Sequence, residues 1–480
     1  MKIKLLLITT IVFFLSPPNS TYGMLSFLSN DGTKLFNPTL FNHSENTFDL
    51  SSPISLLDDY KRDKAPSPAL AFSSTAEDIY SLKKNGVLIT NLSAKEKKVF
   101  FLYPLSGSPH SQNEKNGRFS IIGLDIYSSK LNFYNRDEDE ITSLNFRGDG
   151  NTISYALKKG NFHSGIYQNF SSIKGIGIVP ELNAKTALLT PDAETTITLK
   201  EKKYGWSVGY KFQDKYLLSF QKNKTVVPLN ITVQDADDVF YFPVKSRGSS
   251  HQTALSFPFS NRDKISTFYS SGDNTALDIN RFHISQPADT AEFANTLRLA
   301  DYESFGIGWI REITKRSTLR FEFKKYSAEF RGAGDISPGL SAFIPHYFYE
   351  HRGDISLKSF KIHYLRRKKK ISFSTSYTMA PFDANLYLFI CQKTFFGGCK
   401  TPPDYEENYI FRSSKIHTLS LGVSAGLGHG KNLIYSITQI VPQINRIKAA
   451  VPAPPGPPAP PEVKKEKGGR IHHLMLEFRF

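Results

Sequence analysis

The sequence predicts an all-β protein, an antiparallel transmembrane β-barrel of about 16 to 18 strands preceded by a small N-terminal segment of mixed or disordered character. Three observations predict it. From Arg118 onward the chain is a succession of short segments in which apolar and polar residues alternate with period two, separated by Gly, Asn, Asp, Lys and Pro. The amino terminus reads as an export signal, and the chain stops on an alternating, aromatic-tipped strand.

Residues 1–23 are expected to be a cleaved signal peptide. Lys2 and Lys4 precede an apolar run from Leu5 to Leu15, Pro17 and Pro18 follow, and Thr21 and Gly23 suit the −3 and −1 positions of the cleavage site. The run is shorter than the roughly 20 residues a helix needs to cross a bilayer, and no other stretch is longer. Residues 24–117 form a distinct N-terminal segment, a possible plug or periplasmic extension. Its first part is polar and turn-rich, with Pro38, Pro53, Pro66 and Pro68. Thr75 is placed to cap a short helix running to Lys84, and Val87–Asn91 with Lys98–Tyr103 suit a small hairpin.

The barrel is expected over 118–480. Tyr204, Trp206, Val208, Tyr210 and Phe212 alternate with Gly205, Ser207, Gly209 and Lys211, while Leu319, Phe321 and Phe323 alternate with Arg320, Glu322 and Lys324. Leu419, Leu421, Val423, Ala425 and Leu427 alternate with Ser420, Gly422, Ser424 and Gly426. In a sandwich the apolar face would be a shared core; in a membrane barrel it faces lipid, and periodicity alone does not separate the two. Arg366–Lys370 and Gly428–Lys431 read as short turns, and Gly332–Gly353, Ala380–Ser413 and Pro442–Gly469 as long connections on the opposite side. Upstream of Asn274 the turn lengths do not alternate. The Pro-rich stretch from Pro452 to Pro461 is an extended polyproline spacer that interrupts the last hairpin.

In the final segment Leu474, Leu476, Phe478 and Phe480 share one face, with His473, Met475, Glu477 and Arg479 on the other. This resembles the carboxy-terminal assembly signal of Gram-negative outer-membrane β-barrel proteins. The resemblance implies outer-membrane localisation, handling by the barrel-assembly machinery, and contact with outer-membrane lipid and lipopolysaccharide.

Composition agrees with such a barrel: 38 Phe and 23 Tyr against 2 Trp and 4 Met supply strands and interfacial rings. A formal charge of +16 in an exported chain points to lipopolysaccharide phosphates, acidic polysaccharides or small anions, and not to nucleic acid. Cys391 and Cys399, the only cysteines, suit a disulfide across a surface loop. Gly422–Gly426 matches the G-x-S-x-G pattern but lies in mid-strand, where no nucleophile turn forms. His346, Glu350 and His351 have the wrong spacing for a zinc site, and His472 and His473 point to opposite faces. Arg147–Asp149 and Arg352–Asp354 are Arg-Gly-Asp tripeptides, which are ordinary turn chemistry as well. No catalytic constellation, metal site or cofactor motif stands out, so the chain is not read as an enzyme.

The function expected is passage or binding of polar or anionic solutes through a lumen lined by Arg320, Glu322, Lys324, Lys361, Glu477 and Arg479. A barrel-anchored adhesin for a host surface ligand, or an autotransporter-like translocator, is the alternative. A soluble exported all-β binding protein is the third.

Overall fold

The computed structural model of the chain describes Leu57 and residues 68–84, 87–106, 118–137, 140–178, 194–213, 215–235, 238–279, 283–284, 292–337, 347–368, 370–393, 398–401, 403, 405–443, 446–448 and 469–479. The expected signal peptide over residues 1–23, the Pro-rich stretch and Phe480 lie outside these residues.

The strands follow the chain as β1 (Ala69–Lys84), β2 (Val87–Ser106), β3 (Arg118–Asp137), β4 (Glu140–Lys159), β5 (Phe162–Ile178), β6 (Glu194–Phe212), β7 (Tyr216–Asp235), β8 (Asp238–Pro258) and β9 (Asp263–Ile279). After the two-residue β10 (His283–Ile284) come β11 (Glu292–Thr314), β12 (Ser317–Ser337), β13 (Tyr347–Arg367), β14 (Ile371–Gln392), β15 (Tyr405–Gly428), β16 (Lys431–Gln443), β17 (Arg446–Lys448) and β18 (Arg470–Arg479). β10 is an appendage of β8, and β17 of β15. Among the described residues, the other sixteen form one wall in which each strand pairs antiparallel with its neighbours. The wall closes on itself: β1 pairs β18 from Ala69↔Arg479 to Asp78↔Arg470. A closed sheet has no second sheet to pack on, so the sandwich is excluded. Closure also leaves no unpaired edge, and an unpaired edge on a sheet of this size would template aggregation.

The rim that carries Ala69 and Arg479 has tight turns. β4–β5, β6–β7, β11–β12, β13–β14 and β15–β16 are joined there by two or three residues, and the Gly428–Gly430 turn of β15–β16 has all three residues at positive φ. In β8–β9 the Ser260 hydroxyl donates to the Asp263 carboxylate at 2.6 Å and accepts from the Arg262 and Asp263 amides. The opposite rim carries the connections after β5, β9, β12, β14 and β16. It also carries two-residue links after β1, β3 and β7, which is why the turn-length pattern fails upstream of Asn274.

Two expectations are corrected. The barrel begins at Ala69, not Arg118: the expected helix over Thr75–Lys84 lies in β1, and the expected hairpin is the single strand β2. Pairing to β18 on one side and β2 on the other overrides the local capping signal. The long connections are also shorter than expected, because Gly332–Ser337, Tyr347–Gly353, Ala380–Gln392 and Tyr405–Ser413 continue their strands beyond the apolar stretches. Glu350 and the Arg352–Asp354 tripeptide therefore lie in β13, not in a loop.

Near the tight-turn rim the inward face is apolar. Ala69, Ala71, Phe100, Leu102, Phe119, Ile121, Ala156, Ile434 and Met475 form one buried cluster. Leu57, in helical conformation, is its tenth member.

Candidate functional site: the lining of the barrel and its outer face

Alternation decides which side chains reach the interior. On β15, Leu419, Leu421 and Val423 are exposed while Thr418 and Ser420 are buried; on β14, Phe373 and Tyr377 are exposed while Ser374, Ser376 and Thr378 are buried. The same division holds on β6, where Tyr204, Trp206, Tyr210 and Phe212 are exposed and Ser207 is buried. The outer surface thus carries Leu, Ile, Val, Phe, Tyr and Trp, and the enclosed face carries Ser, Thr, Asn, Gln, His and charge. A sheet that exposes its apolar side has lipid, not water, as its outer solvent. The protein is a transmembrane β-barrel of the outer-membrane type. No helix among the described residues is long and apolar enough to cross a membrane; the crossing is made by strands.

Rings continue across strands on the outside: Trp206 lies 5.5 Å from Phe220, Trp309 stacks on Phe321 at 5.3 Å, and Phe323 lies 5.0 Å from Phe360. In the closing strand, Leu474 is exposed, and the Phe478 ring meets Phe72 edge-on at 6.3 Å with the Lys431 ammonium 6.0 Å above it. Leu476 stands opposite Phe72 and Leu433 on the same outward face.

On the enclosed face, four of the charged residues singled out from sequence come into register: Arg320, Glu322, Lys324 and Lys361. Arg320, Glu322 and Lys324 follow one another inward along β12, and register places Lys361 of β13 opposite Glu322 and His363 opposite Arg320. Arg320 is only 5% exposed and Glu322 7%. The Arg320 guanidinium pairs with one Glu322 oxygen, and the Lys324 ammonium lies 3.8 Å from the other. Two cations thus reach the Glu322 carboxylate, and a third cation and an imidazole stand in register beside them. An ion-pair network of this kind is costly to break once buried, because a charge left alone inside keeps its full desolvation penalty. Glu477 sits apart, on β18, accepting from the Asn432 amide at 3.1 Å. Arg479 ends β18 opposite Ala69, and its side chain lies outside the described ones.

Interior groups that the sequence did not single out are as ordered. The Lys98 ammonium lies 2.7 Å from the buried Asp125 carboxylate. Tyr167 donates to the Asn223 side-chain oxygen at 2.9 Å, Gln221 donates to the same oxygen at 2.9 Å, and the Asn223 amide donates to Ser250 at 3.2 Å. The Tyr167 ring lies over Gly205, its cross-strand partner, where an added Cβ would stand 2.4 Å from the ring. Their signal in sequence is a glycine on the inward parity of one strand and an aromatic on the next, which only the register connects.

Cys391 and Cys399 are joined, with Cα atoms 5.5 Å apart, where β14 leads into β15. Lys393 bridges Cys399, and the Lys400 amide donates to the Gln392 carbonyl at 2.8 Å. Gly422–Gly426 runs extended in β15 between β14 and β16. His473 is buried inside, whereas His472 faces outward and bonds Tyr435 at 2.9 Å.

No family model matches the chain, and no curated protein is similar to it in sequence. Among solved structures, a Pseudomonas aeruginosa FadL homologue shares 9% identity over 94% of this chain and 96% of its own, with a TM-score of 0.44. The Pseudomonas putida toluene transporter TodX shares 9% over 90% and 93%, with a TM-score of 0.38. CdiB from Acinetobacter baumannii shares 9% over 86% of this chain and 60% of its own, with a TM-score of 0.40. Identities and scores this low assign the chain neither a family nor a ligand.

Proposed function

We propose that the protein is an outer-membrane transporter that binds and passes small anionic solutes through its interior. The observation that carries this reading is the Arg320, Glu322, Lys324 and Lys361 group with His363: enclosed in the barrel, it brings three cationic side chains into register around the Glu322 position. An anion entering beside Glu322 meets Lys324, Lys361 and Arg320 in a medium of reduced dielectric, where each attraction is stronger than in bulk water. Glu477 and Arg479 extend the charged lining toward the tight-turn rim. That rim faces the periplasm in this reading, since short turns there and longer connections opposite are the usual asymmetry of such barrels. The apolar cluster containing Leu57 narrows the bore at that end, and in this reading the residues preceding Ala69 act there as a plug that gates passage without closing it. Leu474, Leu476, Phe478 and Phe480 serve as the assembly signal, after export through residues 1–23.

The test is conductance and reversal potential in planar bilayers under a salt gradient. The folded chain should favour anions, and Glu322→Gln, which removes the one carboxylate of the group, should raise that preference while lowering folding stability by about 3–5 kcal/mol. Cation preference in the unaltered barrel, or a reversal potential indifferent to Glu322→Gln, would overturn the assignment of the lining.

A further inference from the structure

The outer wall of β2–β5 carries a second concentration of charge, unconnected with the interior. Register places Lys95 opposite Lys130, Lys130 opposite Arg147, and Arg147 opposite Lys174. All four side chains are exposed on the outward face. Four cations in directly opposed positions span about 14 Å, three strand spacings. Like charges so placed destabilise a sheet. Asp149 lies 3.8 Å from Arg147, and both groups are more than half exposed, so water weakens the pair.

Directly below, four residues along each strand, runs an apolar row on the same face. Leu476 stands opposite Phe72, Phe72 opposite Val99, and Val99 opposite Ile126. Phe170 continues the row beyond Asn151. The wall is concave here: the row floors a groove of about 930 Å³, whose rim includes Lys97 and Lys200. Its volume is that of a ligand cleft, yet its floor is outward-facing. A free phosphate has no use for the apolar floor, and a neutral lipid has none for the cationic ladder.

We infer that this face is a binding site for a multiply phosphorylated, acylated glycolipid of the lipopolysaccharide type, its phosphates on the Lys95–Lys174 ladder and an acyl chain along the Phe72–Phe170 groove. The inference rests on the membrane orientation proposed above, because it needs the ladder at the outer boundary of the apolar belt. Charge complementarity and the apolar row beneath it select this occupant: its several phosphates match opposed cations that a single anion would leave uncompensated.

The experiment measures retention of purified bis-phosphorylated lipopolysaccharide by the full-length barrel in non-ionic detergent. The comparison variants are Lys95→Gln/Lys130→Gln/Arg147→Gln/Lys174→Gln and, on the opposite wall, Arg352→Gln/Lys358→Gln/Arg412→Gln/Lys415→Gln. Binding should fall about tenfold or more in the first and stay unchanged in the second. It should return in Lys95→Arg/Lys130→Arg/Lys174→Arg, and dephosphorylated lipopolysaccharide should bind as weakly as the ladder variant does. Equal loss in both Gln variants, or equal binding of phosphatidylethanolamine or of inorganic phosphate alone, would overturn it. Migration of unboiled against boiled samples separates the two readings: a heat-modifiable barrel that ignores the lipid sinks this site alone, and a chain without the folded form sinks the membrane reading itself.

Discussion

Replacing Leu421 by Arg discriminates a lipid-facing surface from a watery one more sharply than any other single change. Leu421 is 53% exposed in the middle of the outward row Leu419, Leu421, Val423 and Leu427, with Thr375 and Ile437 as cross-strand neighbours. From Leu427 to Leu419 the chain advances eight residues, about 26 Å of strand. At a tilt near 40° that is about 20 Å of height, close to the apolar band of about 25 Å expected of such barrels. Lys415 marks where the row becomes polar. Leu421 therefore sits deep in the band, where Arg costs about 2–4 kcal/mol relative to an apolar residue. Were the same face in water, Arg and Ala there would differ by about 0.5 kcal/mol or less. Guanidine titration of folding into phospholipid vesicles measures the difference between Leu421→Arg and Leu421→Ala directly. A gap under about 1 kcal/mol would refute the claim that this face meets hydrocarbon.

Gly205→Ala should cost about 1–3 kcal/mol in the same titration, since the new Cβ meets the Tyr167 ring and Asn223 at 2.4 Å and the Lys222 carbonyl at 2.9 Å. Gly426→Ala, whose nearest neighbours stand at 3.6 Å, should be neutral within about 1 kcal/mol, and equal costs would contradict the ring-over-glycine packing. Trp206, 43% exposed in the outward row, should be quenched strongly by lipids brominated in mid-chain once Trp309→Phe makes it the sole indole; insensitivity to bromine would place it in water. Reduction of Cys391–Cys399 should open the link between β14 and β15 to trypsin without loss of heat-modifiable migration. Their ladder continues from Ile390↔Tyr405 to Ile371↔Ala425, and loss of the folded form would show that the bridge supports more than its own loop.

Legibility followed chemistry. β15 was readable because its two faces differ residue by residue, from Leu419 against Ser420 to Leu427 against Gly426. β18 was readable for the same reason. β2 was not, because Val99, Phe101 and Tyr103 face outward while Phe100 and Leu102 pack inward against the cluster around Leu57. With both faces apolar, the alternation that marks a strand disappears. The outer limits of β12 to β15 were missed for the opposite reason: beyond the membrane band the outward face turns polar, as at Arg352 and Asp354, and the strand reads as a loop.

The sequence by itself determined the strand period, the segregation of aromatic rows from polar ones, the pairing of the two cysteines and the sharing of one face by Arg320, Glu322 and Lys324. These depend only on parity within a strand or on a short separation along the chain. Closure of β1 on β18, the meeting of Lys361 with Glu322, the ring of Tyr167 over Gly205 and the Lys95–Lys174 ladder were decided by the tertiary structure alone. Each needs the register between strands, and register is set by the sum of pairings around the whole wall, which no single segment encodes.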